Sequence, residues 1–468
     1  MPARVAVLGG GVGGTLVANL LDKALGREAR VSVIDPTGMH HYQPGYLYVA
    51  LGQANGRWLV RDERSLLRRD VDLIVDRAIR IHPEAGTVQL EHGASVEWDY
   101  LVIATGARLM HDRIPGLVEG AFGFYSLDDA QRLREELRRF RGGRILVGIG
   151  GIPYKCPPAP VEFVFMLEEY LRNRGVRDRS SVTLLSPLNR AFTIESASKV
   201  IQPILQERGI GLTTFFNVEQ VDPAAHTVTS IEGEKAEYDL LVLVPPHQGQ
   251  PVVIDSDLGD PGGWLPTDRL TLQVKDRDRI FAMGDGTDLP ISKSGSTAHF
   301  EAPVVASRIA SLVRGSAPKT NYGGRVMCFL ETGNRKATAL RFDYEHPPTP
   351  PKPSTVWHAA KWMFNRVYWE TVPQGRIPEA PRRHRKGDDH ERADRSNARP
   401  EGPVVSAADR EDGAGDQGTA VRRPDGGTRH RPGIGRRFRG VVHDDRERAR
   451  GAKRDGRGVP VRDQEEVR

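Results

Sequence analysis

The segment from Val5 to Leu25 constrains the fold more than any other part of the chain. A short apolar run, Val5–Leu8, enters Gly9-Gly10-Gly11-Val12-Gly13-Gly14 and then a helix-like stretch from Thr15 to Leu25. A second apolar run, Val31–Ile34, ends in Asp35. Gly9, Gly11 and Gly14 stand in the order G-x-G-x-x-G, and Asp35 follows the last of them by twenty-one residues. Glycines at these places permit a tight turn, let backbone N–H groups approach a pyrophosphate, and allow a helix to pack closely on a strand. The positive end of the helix then faces the phosphates, and the acid accepts hydrogen bonds from a ribose. A glycine turn with no ligand leaves the position and spacing of the acid unexplained. The segment predicts a dinucleotide-binding unit without deciding between FAD and NAD.

A similar unit restarts at Arg144–Gly148, passes through Gly150-Gly151 into a helix near Pro160–Arg172, and reaches a strand at Val182–Leu185. Residues 99–107 and 275–290 read as returns to the first unit. The expected fold class is therefore α/β, with two Rossmann-like dinucleotide-binding domains, the second inserted in the first. The expected divisions are 1–110 and 252–318 for the first domain, 111–251 for the second, 319–378 for a C-terminal domain, and 379–468 for a tail.

Charge and composition exclude several classes. The whole chain carries a net charge of +6, and residues 382–468 alone, with 23 Lys/Arg against 17 Asp/Glu, account for all of it. The neutral remainder does not support a nucleic-acid-binding body. The tail has one aromatic, Phe438, and two lysines, Lys386 and Lys453, among its 23 basic residues. Such a composition buries too little apolar surface to offset chain entropy and predicts disorder. An Arg-rich binding tail is one origin for it, and a GC-rich gene read in a shifted frame is the favoured one. No apolar run nears the roughly 18 residues of a membrane span. The chain enters the strand-like run at Arg4–Leu8 with no basic region, apolar segment and cleavage site before it, so secretion by a removable signal is not expected, and two cysteines cannot build a disulfide framework.

The second glycine loop departs from the first. It reads Gly148-Ile149-Gly150-Gly151-Ile152-Pro153-Tyr154-Lys155-Cys156-Pro157-Pro158-Ala159-Pro160-Val161-Glu162. Proline offers no N–H and is tolerated in a first helical turn, so this loop is ill suited to a pyrophosphate and disfavours nicotinamide. It presents a thiol near a helix N-terminus with Lys155 beside it. Both features are expected to stabilise thiolate, the helix dipole by about 0.3–1 kcal/mol. Glu162 is a candidate proton carrier if it faces the same cavity. The alternative is a buried structural cysteine.

Three short segments carry a resemblance. Asp99–Ala107 and Arg279–Asp285 resemble the later FAD-contacting segments of flavoproteins with two dinucleotide-binding domains. Lys155–Glu162 resembles the active-site segment of sulfide:quinone oxidoreductases. Val244-Pro245-Pro246-His247-Gln248-Gly249, Lys293-Ser294-Gly295 and Cys328 within Arg325–Phe329 extend the likeness over about residues 1–378. The resemblance implies FAD held by Gly9, Gly11, Gly14, Asp35, Ala78, Thr105, Gly106, Gly284, Asp285, Lys293 and Gly295. It implies Cys156 and Cys328 as a redox pair with Glu162 beside them, and a quinone site at Phe329 and Trp369. Sulfide attacks the oxidised sulfur bridge, electrons pass through FAD to membrane quinone, and polysulfide or sulfur leaves.

Two departures bear on the chemistry. The third cysteine of many members is absent from Gly120–Leu127, so FAD is expected to be non-covalent. Histidines expected near Ser186–Glu195 are absent too. The partners implied are sulfide, a membrane quinone and the membrane surface, with a homo-oligomer left open and no specific nucleic acid. Thr355–Val372 supports membrane contact. At 100° per residue Val356, Ala360, Met363, Phe364 and Val367 share one stripe, Trp362 and Trp369 lie roughly opposite, and Lys361 and Arg366 fit an interfacial, monotopic helix. The protein is thus expected to be peripheral on the cell membrane, on a side the sequence does not fix. The rival readings are a type II NADH:quinone oxidoreductase, a flavoprotein passing sulfide electrons to a cytochrome, and a redox-inert flavoprotein whose tail binds RNA or acidic lipid.

Overall fold

A computed structural model describes residues 1–376, which lie within one compact unit. The tail expected from residue 379 onward falls outside the described residues.

The first sheet is wholly parallel. Strands β1 (Ala3–Leu8), β2 (Ala29–Asp35), β3 (Asp72–Val75), β4 (Tyr100–Ile103) and a late strand, Ile280–Ala282, lie in the order late strand, β4, β1, β2, β3. Helix α1 (Val12–Leu25) crosses from β1 to β2. Parallel sheets need cover on both faces, and these strands are correspondingly apolar on each side. Val5, Val7, Val31 and Val33 pack under α1, while Ala6, Leu8 and Ile34 face the opposite core. The long helix Gly295–Val313 lies against α1 where Gly13 allows close approach, since an added Cβ there would stand 3.3 Å from the Ala298 Cβ of that helix.

The second sheet is also parallel. Its strands are β5 (Gly143–Ile149), β6 (Ser180–Leu185), β7 (Ile210–Thr213) and β8 (Leu240–Val244), in the order β7, β6, β5, β8. All five residues of β8 are buried although it is the last strand of the sheet. Helix α2 (Pro158–Asn173) runs from β5 to β6 and starts one residue after Pro157. The late strand is hereafter β9, and Gly295–Val313 is α3. An antiparallel hairpin, β10 (Val326–Gly333) with β11 (Lys336–Phe342), packs on α2, and α4 (Thr355–Thr371) packs on β11.

The outward and inward sides of α4 differ from the helical-wheel expectation. Val356, Met363 and Val367 are exposed, and so is Trp362 at 60%. Tyr368, Trp369 and Lys361 are buried. The inner face is set by three polar residues spaced i, i+4, i+7 that each find a partner. Lys361 pairs with Glu162, Asn365 accepts from Tyr42 Oη at 2.5 Å, and Tyr368 Oη lies 2.9 Å from His40 Nε2. Trp362 and Trp369 thus part company: one meets solvent and the other packs at 5.5 Å from His40. Lys361 is no surface anchor.

Candidate active site

The ends of β1, β4 and β9 form a cradle. Gly9 takes φ +102°, and a Cβ there would stand 2.6 Å from Ala104 O, so only glycine fits. Gly14 packs against the Gly9 carbonyl with no room for a Cβ, whereas a Cβ at Gly11 or Gly106 would meet no protein atom within 4 Å. Close packing at Gly9 and Gly14 thus leaves open space above Gly11 and Gly106. Thr105 Oγ1 and Asp285 Oδ1 are buried there without hydrogen-bond partners. Buried polar atoms in folded proteins are nearly always satisfied, so this cradle fits a dinucleotide carrying ribityl and phosphate oxygens. Asp35 is engaged differently from the simple ribose expectation. Its Oδ2 accepts from Gly10 N and its Oδ1 from Thr37 N and Gly38 N, each at 2.9 Å, so the carboxylate also fixes the loop it overhangs. Gly284 turns β9 toward α3 with φ +73°. Ala78 begins the strand Ala78–His82 of a separate antiparallel sheet.

Lys293 and Gly295 stand where α3 begins. Lys293 Nζ donates to Asp285 O and Thr287 O and lies 4.1 Å over the Trp264 ring. Burial lowers its ammonium and raises the Asp285 carboxyl, and each group's charge opposes the other's shift. Glu301, one turn into α3, accepts from Gly284 N and is pushed up to about 8 by burial. A carboxyl raised on folding stays protonated in the native state while the unfolded chain ionises, so stability present below about pH 4.5 is lost as pH rises toward 8. Glu301→Gln keeps an acceptor for Gly284 N without that liability. We expect its melting temperature to exceed the wild type's by several degrees at pH 8.5 and to match it at pH 5. Equal differences at both pH values would show that Glu301 is ionised throughout.

The second glycine loop is filled by protein. A Cβ on Gly150 would meet Val244 O at 2.8 Å, and Pro246 packs over Gly151. Pro157, Pro158 and Pro160 have no N–H, and Ala159 N donates to Cys156 O at 2.9 Å. The helix start therefore offers a phosphate almost nothing.

Cys156 sits at the mouth of this loop in a left-handed conformation, φ +51°. Its N–H donates to Lys293 O at 2.5 Å, which ties it to the start of α3. Cys328 Sγ lies 4.0 Å from Ser294 Oγ, on the residue next to Lys293. The fold thus brings the two cysteines to one site, and both are free thiols. The expectation of a stabilised thiolate is overturned. Burial pushes Cys156 up to about 12, negative charge on Cys328 adds to that, and Lys361 only partly opposes it. Burial likewise raises Cys328 to about 11. Lys155 Nζ donates to Gln43 Oε1 at 2.9 Å; burial lowers its ammonium, while charge on Asp285 and on Cys156 pushes it back up.

Glu162 does face this region, and it forms a buried ion pair with Lys361 of α4. Burial pulls the Lys361 ammonium down, and a thiolate at Cys156 pushes it back up. Sequence reading missed Lys361 as a site residue. The signal was there: a lysine heading the i, i+4, i+7 polar stripe of an otherwise aromatic helix. Two more residues were missed. Tyr125 Oη donates to Cys156 O at 3.3 Å, and its ring packs edge-on against His247 at 5.6 Å. His247 Nδ1 lies 2.9 Å from Pro245 O, its Nε2 is buried without a partner, and burial lowers it to about 3. That imidazole is neutral: its Nδ1–H donates to the Pro245 carbonyl, and Nε2 is left as an unpartnered acceptor.

Phe329 and Trp369 are not adjacent. Phe329 packs 6.2 Å from Phe364, which lies 6.4 Å from Tyr368, and Tyr368 lies 5.1 Å from Trp369. One line of aromatic rings joins the two.

The sequence profile described as pyridine nucleotide-disulphide oxidoreductase matches residues 3–302. The mitochondrial sulfide:quinone oxidoreductase of Mus musculus is 27% identical over 391 residues, spanning 80% of this chain and 86% of that protein. The X-ray structure of the sulfide:quinone oxidoreductase from Aquifex aeolicus superposes with a TM-score of 0.72 at 22% identity, covering 81% of this chain and 93% of that one, which is a likeness of fold. An alternative NAD(P)H-ubiquinone oxidoreductase of Arabidopsis thaliana is 29% identical over 339 residues, spanning 61% of this chain and 62% of that protein.

Proposed function

The chain belongs to the pyridine nucleotide-disulphide oxidoreductase family, and from that premise we propose that it oxidises sulfide to polysulfide or sulfur and passes the electrons to a membrane quinone. The observation that carries this reading is the meeting of Cys156 and Cys328, 172 residues apart, on consecutive residues of the α3 start. The proline-filled second loop argues against a nicotinamide donor. Similarity to sulfide:quinone oxidoreductases over four-fifths of the chain supports the same conclusion.

In this reading FAD, held non-covalently by the cradle of Gly9, Gly11, Gly14, Asp35, Thr105, Gly106, Gly284, Asp285, Lys293 and Gly295, supplies the two-electron link between sulfur and quinone. Hydrosulfide forms a bond to one sulfur of the oxidised Cys156–Cys328 bridge, and the other sulfur leaves as thiolate. Both thiols resist ionisation when reduced, so the leaving thiolate needs a nearby cation. Lys361, gripped by Glu162, is that cation. The Tyr125 hydroxyl holds the Cys156 carbonyl in place. Quinone docks along the aromatic line that begins at Phe329. The divisions 1–110, 111–251, 252–318 and 319–378 describe how we divide these roles along the chain.

Membrane contact belongs to the same proposal. Among the described residues no helix is long and apolar enough to cross a membrane. Val356 at 73% exposed, Trp362 and Met363 form the outer face of α4, and Trp58 is exposed as well. Arg366 over the Trp362 ring and Arg61 over the Trp369 ring add positive charge. A peripheral, interfacial seat on the bilayer fits this surface. Burying each such side chain contributes about 1.5–3 kcal/mol. Trp362→Ser with Met363→Ser is therefore expected to weaken sedimentation with anionic vesicles by at least about tenfold while leaving FAD bound. Unchanged sedimentation would remove α4 from the membrane face.

The test of the function is turnover of a soluble ubiquinone analogue by purified protein, with sulfide or NADH as donor. Quinone reduction with sulfide alone is the expected result. Reduction with NADH alone would instead identify an NADH:quinone oxidoreductase.

A further inference from the structure

Oxidising hydrosulfide to sulfane sulfur releases two electrons and one proton, while reducing a quinone to its quinol takes up two electrons and two protons. Each turnover of the proposed reaction therefore draws one proton from water, and the quinone side of the site needs an inlet. Strand β10 divides its side chains between two faces, as strands do. Cys328 points toward Ser294, while Phe329 and Glu331 both face α4. Phe329 is half-buried, flanked by Trp357 and Phe364 at 6.3 and 6.2 Å.

Beside that aromatic cover stands a carboxyl–imidazole pair. Glu331 is buried, and its Oε2 lies 2.9 Å from His358 Nδ1. His358 is partly exposed and lines an open groove of about 500 Å3, together with Asn334, Arg335, Thr355 and Val356. The pair thus runs from solvent to the side of Phe329. The other groups facing it are few. Tyr48 Oη reaches Glu331 Oε1 at 3.5 Å from the short helix Tyr46–Ala50, Glu169 of α2 adds a like charge, and Arg335 stands at the groove. Behind Tyr48 lies Lys361, 5.6 Å from its ring centre and paired with Glu162. Burial and Glu169 push the Glu331 carboxyl up while His358 pulls it down, a balance suited to carrying a proton.

We propose that Glu331 and His358 form the proton inlet of the quinone half-reaction: His358 takes a proton from groove water and hands it to Glu331, which gives it to the oxygen of a quinone held against Phe329. The inference rests on the function proposed above and assigns roles to two residues that the thiol chemistry does not use. It differs from a mere tie between β10 and α4 in what it predicts.

The test reduces the FAD-loaded protein with dithionite, so that the sulfide step plays no part, and mixes it anaerobically with a soluble ubiquinone analogue at pH 6 to 9. We expect reoxidation at 450 nm to slow by at least about a hundredfold in Glu331→Gln and His358→Ala, the lower range of general acid catalysis. Added imidazole should restore much of the rate to His358→Ala and none to Glu331→Gln, and a pH indicator should report proton uptake with the same lag. Rates within twofold of wild type would overturn the inlet, as would slowing that imidazole does not relieve and that is equal at every pH. A wild-type protein that the quinone fails to reoxidise would instead overturn the underlying function, and the inlet with it.

Discussion

Cys156→Ser is expected to lower the rate of flavin reduction by sulfide by about a thousandfold or more, the scale on which loss of a nucleophile is felt. Serine keeps the size of the side chain, so the left-handed turn at φ +51° and the N–H bond to Lys293 O can persist. The cradle at the ends of β1, β4 and β9 is untouched, and the variant should bind FAD and show an ordinary flavin spectrum. Hydroxyl oxygen neither forms a sulfur bridge with Cys328 nor exchanges with hydrosulfide. Retention of rapid bleaching would make Cys156 a structural residue.

Lys361→Met should destabilise the protein by about 3–5 kcal/mol, because it leaves the Glu162 carboxylate buried and unpaired. Over the described residues that corresponds to a fall in melting temperature of roughly 4–6 °C. Replacing both partners, Glu162→Met with Lys361→Met, should recover most of the loss, since two apolar side chains remove the desolvation cost together. Thermal unfolding of the two single variants and the double variant measures this coupling directly. A loss below about 1 kcal/mol in the single variant would mean the pair is solvated. The stable double variant also isolates the chemistry. Without the ammonium the reduced Cys156 thiol should rise further, so its alkylation at a fixed alkaline pH should slow relative to wild type.

The first glycine loop was legible because each glycine answers a local demand that sequence spacing records. The proline-filled second loop was legible for the same reason, since missing N–H groups are a covalent property. Lys361, Tyr125 and His247 were not legible. Lys361 comes from α4, Tyr125 from 31 residues before Cys156 and His247 from 91 residues after it, and only the fold brings those places together. The thiolate expectation failed on burial. Neighbours in sequence suggested a positive setting, yet desolvation of the buried thiol outweighs the positive charge around it. Helix α4 shows the limit of periodicity most plainly. A wheel groups Val356, Met363 and Val367 on one face, but the partners of Lys361, Asn365 and Tyr368 decide that this face looks outward.

Anaerobic stopped-flow absorbance at 450 nm tests the central claim most directly, with the oxidised, FAD-loaded protein mixed separately with sulfide and with NADH. The account predicts rapid bleaching by sulfide and no comparable bleaching by NADH. Rapid bleaching by NADH, with sulfide inert, would contradict it and return the two cysteines to a structural role.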